Sequence, residues 1–102
     1  MKYTYPACFY KEADGRYSVE IPDFLIATFG DDLADAMYMA SDAIAGRIHN
    51  MLKNGEKLPF ASEMKDIVPD DESGIVSMIC VDLTMHGKIC LKTALGAFVQ
   101  SS

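Results

Sequence analysis

Tryptophan is absent from this 102-residue sequence, histidine occurs twice, cysteine three times, and lysine and arginine together number nine. Each scarcity excludes something. Cys8, Cys80 and Cys90 form an odd set without a CxxC spacing, which argues against a disulfide framework and against a zinc site. They read as buried apolar side chains or idle thiols in a reducing cytoplasm. With His49 and His86 as the imidazoles, no nucleophile-base arrangement assembles: His49 falls near a helix end, where a cation suits the negative dipole terminus, and His86 lies in a Met-His-Gly turn. No GxGxxG or GxxxxGK(S/T) pattern occurs, so nucleotide binding has no support. The longest apolar stretches, Phe24 to Phe29 and Ile75 to Val81, fall far short of the ~20 residues of a membrane span. Met1 to Pro6 lacks the charged-then-apolar layout of a secretion signal. The expectation is a soluble, cytoplasmic protein with no membrane partner, no catalytic centre, no metal and no cofactor.

The few bases stand against fifteen acids, for a net charge of −6. The field of such a chain repels phosphate backbones and attracts cationic partners. Its lysines and arginines are scattered, without the basic stripe of a protein that grips nucleic acid. Asp70-Asp71-Glu72 is the densest acidic cluster. It lacks the spaced ligands and the glycine of a calcium loop, which leaves a solvated acidic loop or a contact for a basic partner.

What is present is the composition of one globular domain: half of the residues are hydrophobic, and at this length one core is feasible. Tyr3, Tyr5, Ala7 and Phe9 alternate with Thr4, Pro6, Cys8 and Tyr10, the signature of a strand with two useful faces. Pro6 cannot donate to a ladder, so this strand is expected at an edge, or irregular, at that point. Asp14-Gly15 separates it from Arg16 to Ile21, a second alternating run, and the two predict a hairpin. Pro22-Asp23 breaks the run before a third strand, Phe24 to Phe29.

From Asp31 the period changes to that of a helix, with Leu33, Met37, Ala40, Ile44, Ile48 and Met51 on one stripe. Asp31, Asp32 and Asp35 cap its start, and Lys53-Asn54-Gly55 ends it. Glu56 to Gly74 reads as a long surface connection, part of it mobile. Ile75 to Leu83 is a strand apolar on both faces, which implies a central or doubly covered position. Beyond Met85-His86-Gly87, Lys88 to Leu91 can add a strand and Thr93 to Val99 a helical turn or two. Tyr3, Tyr5, Phe9, Tyr10 and Tyr17 either pack the core or stack bases from a sheet face.

Several local phrases together resemble the N-terminal domain of the HicB antitoxins, which neutralise small HicA messenger-RNA-cleaving toxins. The phrases are Tyr5-Pro6-Ala7 in the first strand, Asp14-Gly15-Arg16-Tyr17-Ser18-Val19 at the hairpin and Pro22-Asp23 after the second strand. They continue with Thr28-Phe29-Gly30-Asp31-Asp32-Leu33 into the helix and Asn54-Gly55-Glu56-Lys57-Leu58-Pro59 out of it. The resemblance covers about Met1 to Leu83. It implies an α+β fold of order β-β-β-α-β, partial ribonuclease-H-like, with a three- to four-stranded antiparallel-rich sheet on one long helix. Members usually have Pro-Gly shortly after the Pro-Asp pair, where this chain has Leu25-Ile26 and is about one residue shorter, so the entry to the third strand is expected to differ.

Residues 1–84 are expected to form the HicB-like domain and 85–102 a short tail. Members usually continue into a ribbon-helix-helix or helix-turn-helix module, so no sequence-specific DNA binding is expected of this sequence. The resemblance implies a basic HicA-like toxin as partner, in agreement with the charge. The expected contact residues are Asp70, Asp71 and Glu72 with Tyr10 and Glu12. A homodimer or tetramer is expected, because strand addition covers an open edge. The alternative is a free-standing RNA-binding module using exposed aromatics; it requires Tyr3, Tyr5 and Tyr17 in solvent beside Lys2, Lys11 and Arg16, and fails if they lie beneath the helix.

Overall fold

The alternation at the N-terminus is realised as β1, Lys2–Lys11, in a computed structural model that describes residues 2–83. β2, Tyr17–Ile21, returns antiparallel to it in a register running from Cys8 opposite Glu20 to Lys11 opposite Tyr17. The connecting loop closes through the Glu12 amide donating to the Arg16 carbonyl at 2.8 Å, and Gly15 takes the positive φ (90°) that the turn requires. Pro22–Phe24 is a single 3-10 turn, and β3 spans Ile26–Gly30. The third strand therefore starts later than its sequence suggests: Phe24 belongs to the turn, and its side chain is buried.

The residue between turn and strand is Leu25, with φ 55° in the left-handed region and 92% exposure. That conformation costs a side chain with a Cβ about 1–2 kcal/mol, and Leu25 recovers none of it by packing. Leu25→Gly is therefore expected to raise stability by up to about 1 kcal/mol after the extra chain entropy of glycine is counted. Thermal unfolding checks this as an increase of a few degrees in Tm; a fall would contradict it.

The helical stripe becomes α1, Leu33–Lys53. Asp32 is its N-cap, with a carboxylate accepting from the Asp35 amide at 2.8 Å, while the Asp35 carboxylate accepts from the Asp31 amide at 2.9 Å. This reciprocal pair satisfies donors that a helix start leaves open. At the other end, Gly55 is left-handed (φ 74°) and donates to the Leu52 carbonyl, and Glu56 donates to that of Met51, the pattern of a Schellman stop. The buried row is Ala36, Ala40, Ile44, Ala45 and Ile48, with Leu33 and Met51 partly buried. Met37 is not in it: one residue beyond Ala36, it is turned about 100° around the axis and is 37% exposed.

β4, Ile75–Asp82, pairs antiparallel with β1 from Lys2 opposite Asp82 to Phe9 opposite Ile75. The sheet order is β3-β2-β1-β4, all antiparallel. The open edge expected at Pro6 is found locally, whereas the central or doubly covered position expected of β4 is not found among the described residues. β1 is central, and Pro6 is tolerated because β2 pairs only from Cys8 onward, leaving that half of β1 without a partner on one side. Among the described residues β4 is an edge, and its Met78 and Cys80 are exposed on the face away from the helix.

One face of the sheet meets α1. Tyr5, Ala7, Phe9, Val19, Ile21, Ile79 and Val81 form the core with the helix row, and Phe24 sets its ring edge-on to Tyr5 at 4.5 Å. Burial of each large side chain stabilises by roughly 1.5–3 kcal/mol. On the opposite face Pro6 and Cys8 are also buried, and the cover there is the connection from α1 to β4. It leaves the helix side at Pro59, whose carbonyl accepts from the Tyr5 hydroxyl at 2.7 Å. Ser62 then donates its amide (2.8 Å) and hydroxyl (2.6 Å) to the two oxygens of Asp23, just beyond the end of β2. The chain reaches the second face at Asp70, whose amide donates to the Tyr10 hydroxyl at 3.0 Å. Residues 85–102, with the strand and helical turn expected in them and His86 and Cys90, lie outside the described residues.

Candidate functional site

Tyr10 is placed by its parity in β1, which turns its ring to the face away from α1. Its hydroxyl accepts from the Asp70 amide and donates to Glu20 Oε1 at 3.4 Å. Two of the expected contact residues, Tyr10 and Asp70, are therefore in direct contact although sixty residues apart. Asp71 and Glu72 follow in the same exposed loop, where the Asp71 carboxylate accepts from the Ser73 amide at 3.0 Å. That bond holds the Asp71 carboxyl below its ordinary range, so its charge persists to lower pH. Glu12, at the end of the same strand, accepts from the Ser18 hydroxyl at 2.7 Å. It joins the group through β2 rather than through Tyr10.

Glu20 is the member that sequence reading missed. Its signal is parity: Glu20 stands opposite Cys8, next to Tyr10 on the same face. The half-buried Tyr10 thus holds Glu20 and Asp70 directly, with Asp71 and Glu72 next in the loop and Glu12 just beyond the end of the strand. The nearby base Arg16 is already engaged, its Nε 3.7 Å from Asp31 and its guanidinium 4.6 Å above the Phe29 ring. Among the described residues no three His, Cys, Asp or Glu side chains converge as a metal site.

Burial pushes the Tyr10 phenol up to about 12, countered in part by the hydrogen bond from Asp70. Burial likewise raises Tyr5 and the Cys8 thiol, which leaves Cys8 an un-ionised, packed group at neutral pH. The neutral tyrosine is thus the form that the fold favours. This stabilisation is complete below pH 10, the unfolded value, and is lost as pH rises through about 12. Urea midpoints are expected to fall above about pH 10, and less steeply in Tyr10→Phe. An equal fall in both would place the effect elsewhere.

The sequence model of the HicB_like antitoxin of bacterial toxin-antitoxin systems matches residues 5–93. The chain belongs to the HicB-like antitoxin family. A curated relative, an uncharacterised 14.9 kDa protein of Haemophilus phage HP1, is 37% identical over 83 residues, which are 78% of this chain and 62% of the relative. The HicB-like chain thus spans less than two thirds of that relative's length. Among solved structures, a toxin-antitoxin complex from Streptococcus pneumoniae superimposes with a TM-score of 0.73 at 23% identity, covering 100% of this chain and 80% of the other. The Burkholderia pseudomallei antitoxin HicB gives 0.69 at 25% identity, covering 79% and 63%. The α+β fold with one long helix is the HicB fold.

The three tyrosines that the base-stacking alternative requires in solvent are not exposed in the HicB-like sheet. Tyr5 is 3% exposed in the core, and Tyr3 and Tyr17 are partly buried against it. They lie on the helix side of the sheet. His49 is an exposed helix residue, as its sequence position suggests. No described helix is long and apolar enough to cross a membrane.

Proposed function

We propose that this chain neutralises a basic, HicA-like messenger-RNA-cleaving toxin in the cytoplasm by covering its RNA-binding or catalytic surface, without catalytic groups or cofactors of its own. The observation that carries this reading is the acidic sheet end. Asp70 and Glu20 are tied to Tyr10, Asp71 and Glu72 follow Asp70 in the same loop, and Glu12 lies just beyond the end of β1, in a chain of net charge −6. A surface that competes with RNA for a basic protein must present negative charge in a fixed place. Anchoring the loop to a central strand does so, which limits the ordering cost of binding. Complementary charge also speeds encounter and disfavours wrong partners.

The test is isothermal titration against a HicA-like toxin, ideally one encoded beside this chain, with an RNA-cleavage assay in parallel. Sub-micromolar binding that silences cleavage is expected. The triple substitution D70N/D71N/E72Q is expected to weaken binding about tenfold, mostly through a slower association rate, and to flatten its salt dependence. Absence of binding by the unsubstituted chain would overturn the proposal; full affinity in the triple variant would move the contact away from this loop.

A further inference from the structure

Among the described residues the sheet has two open edges, β3 and β4. An open edge is a template for another strand, and proteins that stay monomeric guard it with lysine, proline or a bulge. β3 carries no such guard: Ile26-Ala27-Thr28-Phe29-Gly30 has neither charge nor proline. Beside it Phe29 is 57% and Leu25 92% exposed, and the Arg16 guanidinium lies 4.6 Å above the Phe29 ring.

We propose that β3 pairs antiparallel with β3 of a second copy about a two-fold axis at Thr28, joining two four-stranded sheets into one of eight. The strand is complementary to itself in size on both faces. A two-fold axis at Thr28 sets Phe29 opposite Ala27 of the second copy on the face away from the helices, where both residues are exposed. On the helix face it sets Ile26 opposite Gly30 and Thr28 opposite Thr28, so each large side chain meets a small one and the threonines form a favourable cross-strand pair. β4 has eight residues and no central one: a two-fold axis at Met78 sets Met78 against Met78, and one at Ile79 sets Ile79 against Ile79.

The electrostatics point to the same edge. Two copies of net charge −6 repel wherever carboxylates face one another. At this seam the adjoining acid, Asp31, stands opposite Leu25 of the second copy and is paired with its own Arg16 at 3.7 Å. The self-association expected from composition is thus given a place and a register. A five-residue seam buries less than the roughly 1,200 Å² of a stable interface, so the dimer exchanges with monomer at a Kd on the order of 10 μM.

Sedimentation velocity over about 1 to 500 μM, which brackets that Kd, tests the proposal without any toxin. The expected result is a concentration-dependent dimer that Ala27→Lys weakens at least tenfold and that Cys80→Lys, on the β4 edge, leaves unchanged. In antiparallel pairs opposed Cα atoms lie about 4.5–5.5 Å apart, within disulfide range. Thr28→Cys is therefore expected to form a covalent dimer through the introduced thiol, identified by peptide mapping, under conditions where the unsubstituted chain forms none. A monomer throughout, or a dimer dissociated by Cys80→Lys and not by Ala27→Lys, would overturn the proposal.

Discussion

Gly30→Ala is expected to cost the fold about 3 kcal/mol, read as a lowered urea midpoint at unchanged slope. Gly30 is buried at the end of β3, directly beneath the first turn of α1. An added Cβ would stand 2.6 Å from Ala36 Cα and 2.7 Å from the Asp35 carbonyl carbon, and closer still to the Ala36 nitrogen. These are backbone atoms, so no rotamer change relieves the contact. The helix start must lift from the sheet, which adds loss of the Asp32–Asp35 cap, about 1 kcal/mol, to an overpacking cost of about 1–3 kcal/mol. Against a total stability of roughly 5–15 kcal/mol for a domain, this is a large fraction. Faster amide exchange at the start of α1 would locate the damage, and a stability equal to wild type would show that helix and strand have room to separate.

Phe9→Ala is expected to cost about 4 kcal/mol by a different route, the loss of buried apolar surface together with the cavity left behind. Phe9 is 1% exposed on the helix face of the central strand, with Val19 opposite on β2 and Ile75 opposite on β4. Strands on both sides and the helix above hold the walls apart, so the site collapses poorly. Amide hydrogen exchange separates the two variants. Phe9→Ala leaves the helix cap intact and should show uniform loss of protection, and a cost below about 1.5 kcal/mol would mean that the core closes over the gap.

The comparison of these two sites also shows which parts of the molecule were readable from sequence. Phe9 was legible, since a residue in an alternating run declares its face by parity, and the helix declared itself through its period and its caps. Gly30 was legible only as part of a boundary; that a helix backbone rests on it depends on the packing angle, which no local pattern encodes. The position of β4 was not legible, for a related reason. Pro6 signalled an open edge, and β1 has one there because β2 pairs only from Cys8 onward. The apolar outer face of β4 suggested cover, yet the cover lies over β1.

At the candidate site, Tyr10, Asp70, Asp71, Glu72 and Glu12 were all named from the sequence, and the Tyr10–Asp70 bond unites two of them. The clasp of Ser62 on Asp23 was not anticipated. Asp23 read as part of a chain break, and a side chain that holds a segment thirty-nine residues away leaves no trace in its own neighbourhood.

The central position of β1 bears on how the molecule is made. Its hairpin with β2 is local and can close early, whereas its other flank waits for β4, the last described strand, and closing so long a loop slows folding. During synthesis the nascent chain therefore carries an unsatisfied middle strand until nearly all of the described residues have left the ribosome. In that interval the flank of β1 is open to strands of neighbouring nascent chains, the stage at which misassembly competes with folding. How long that flank stays open is then set by how quickly β4 docks.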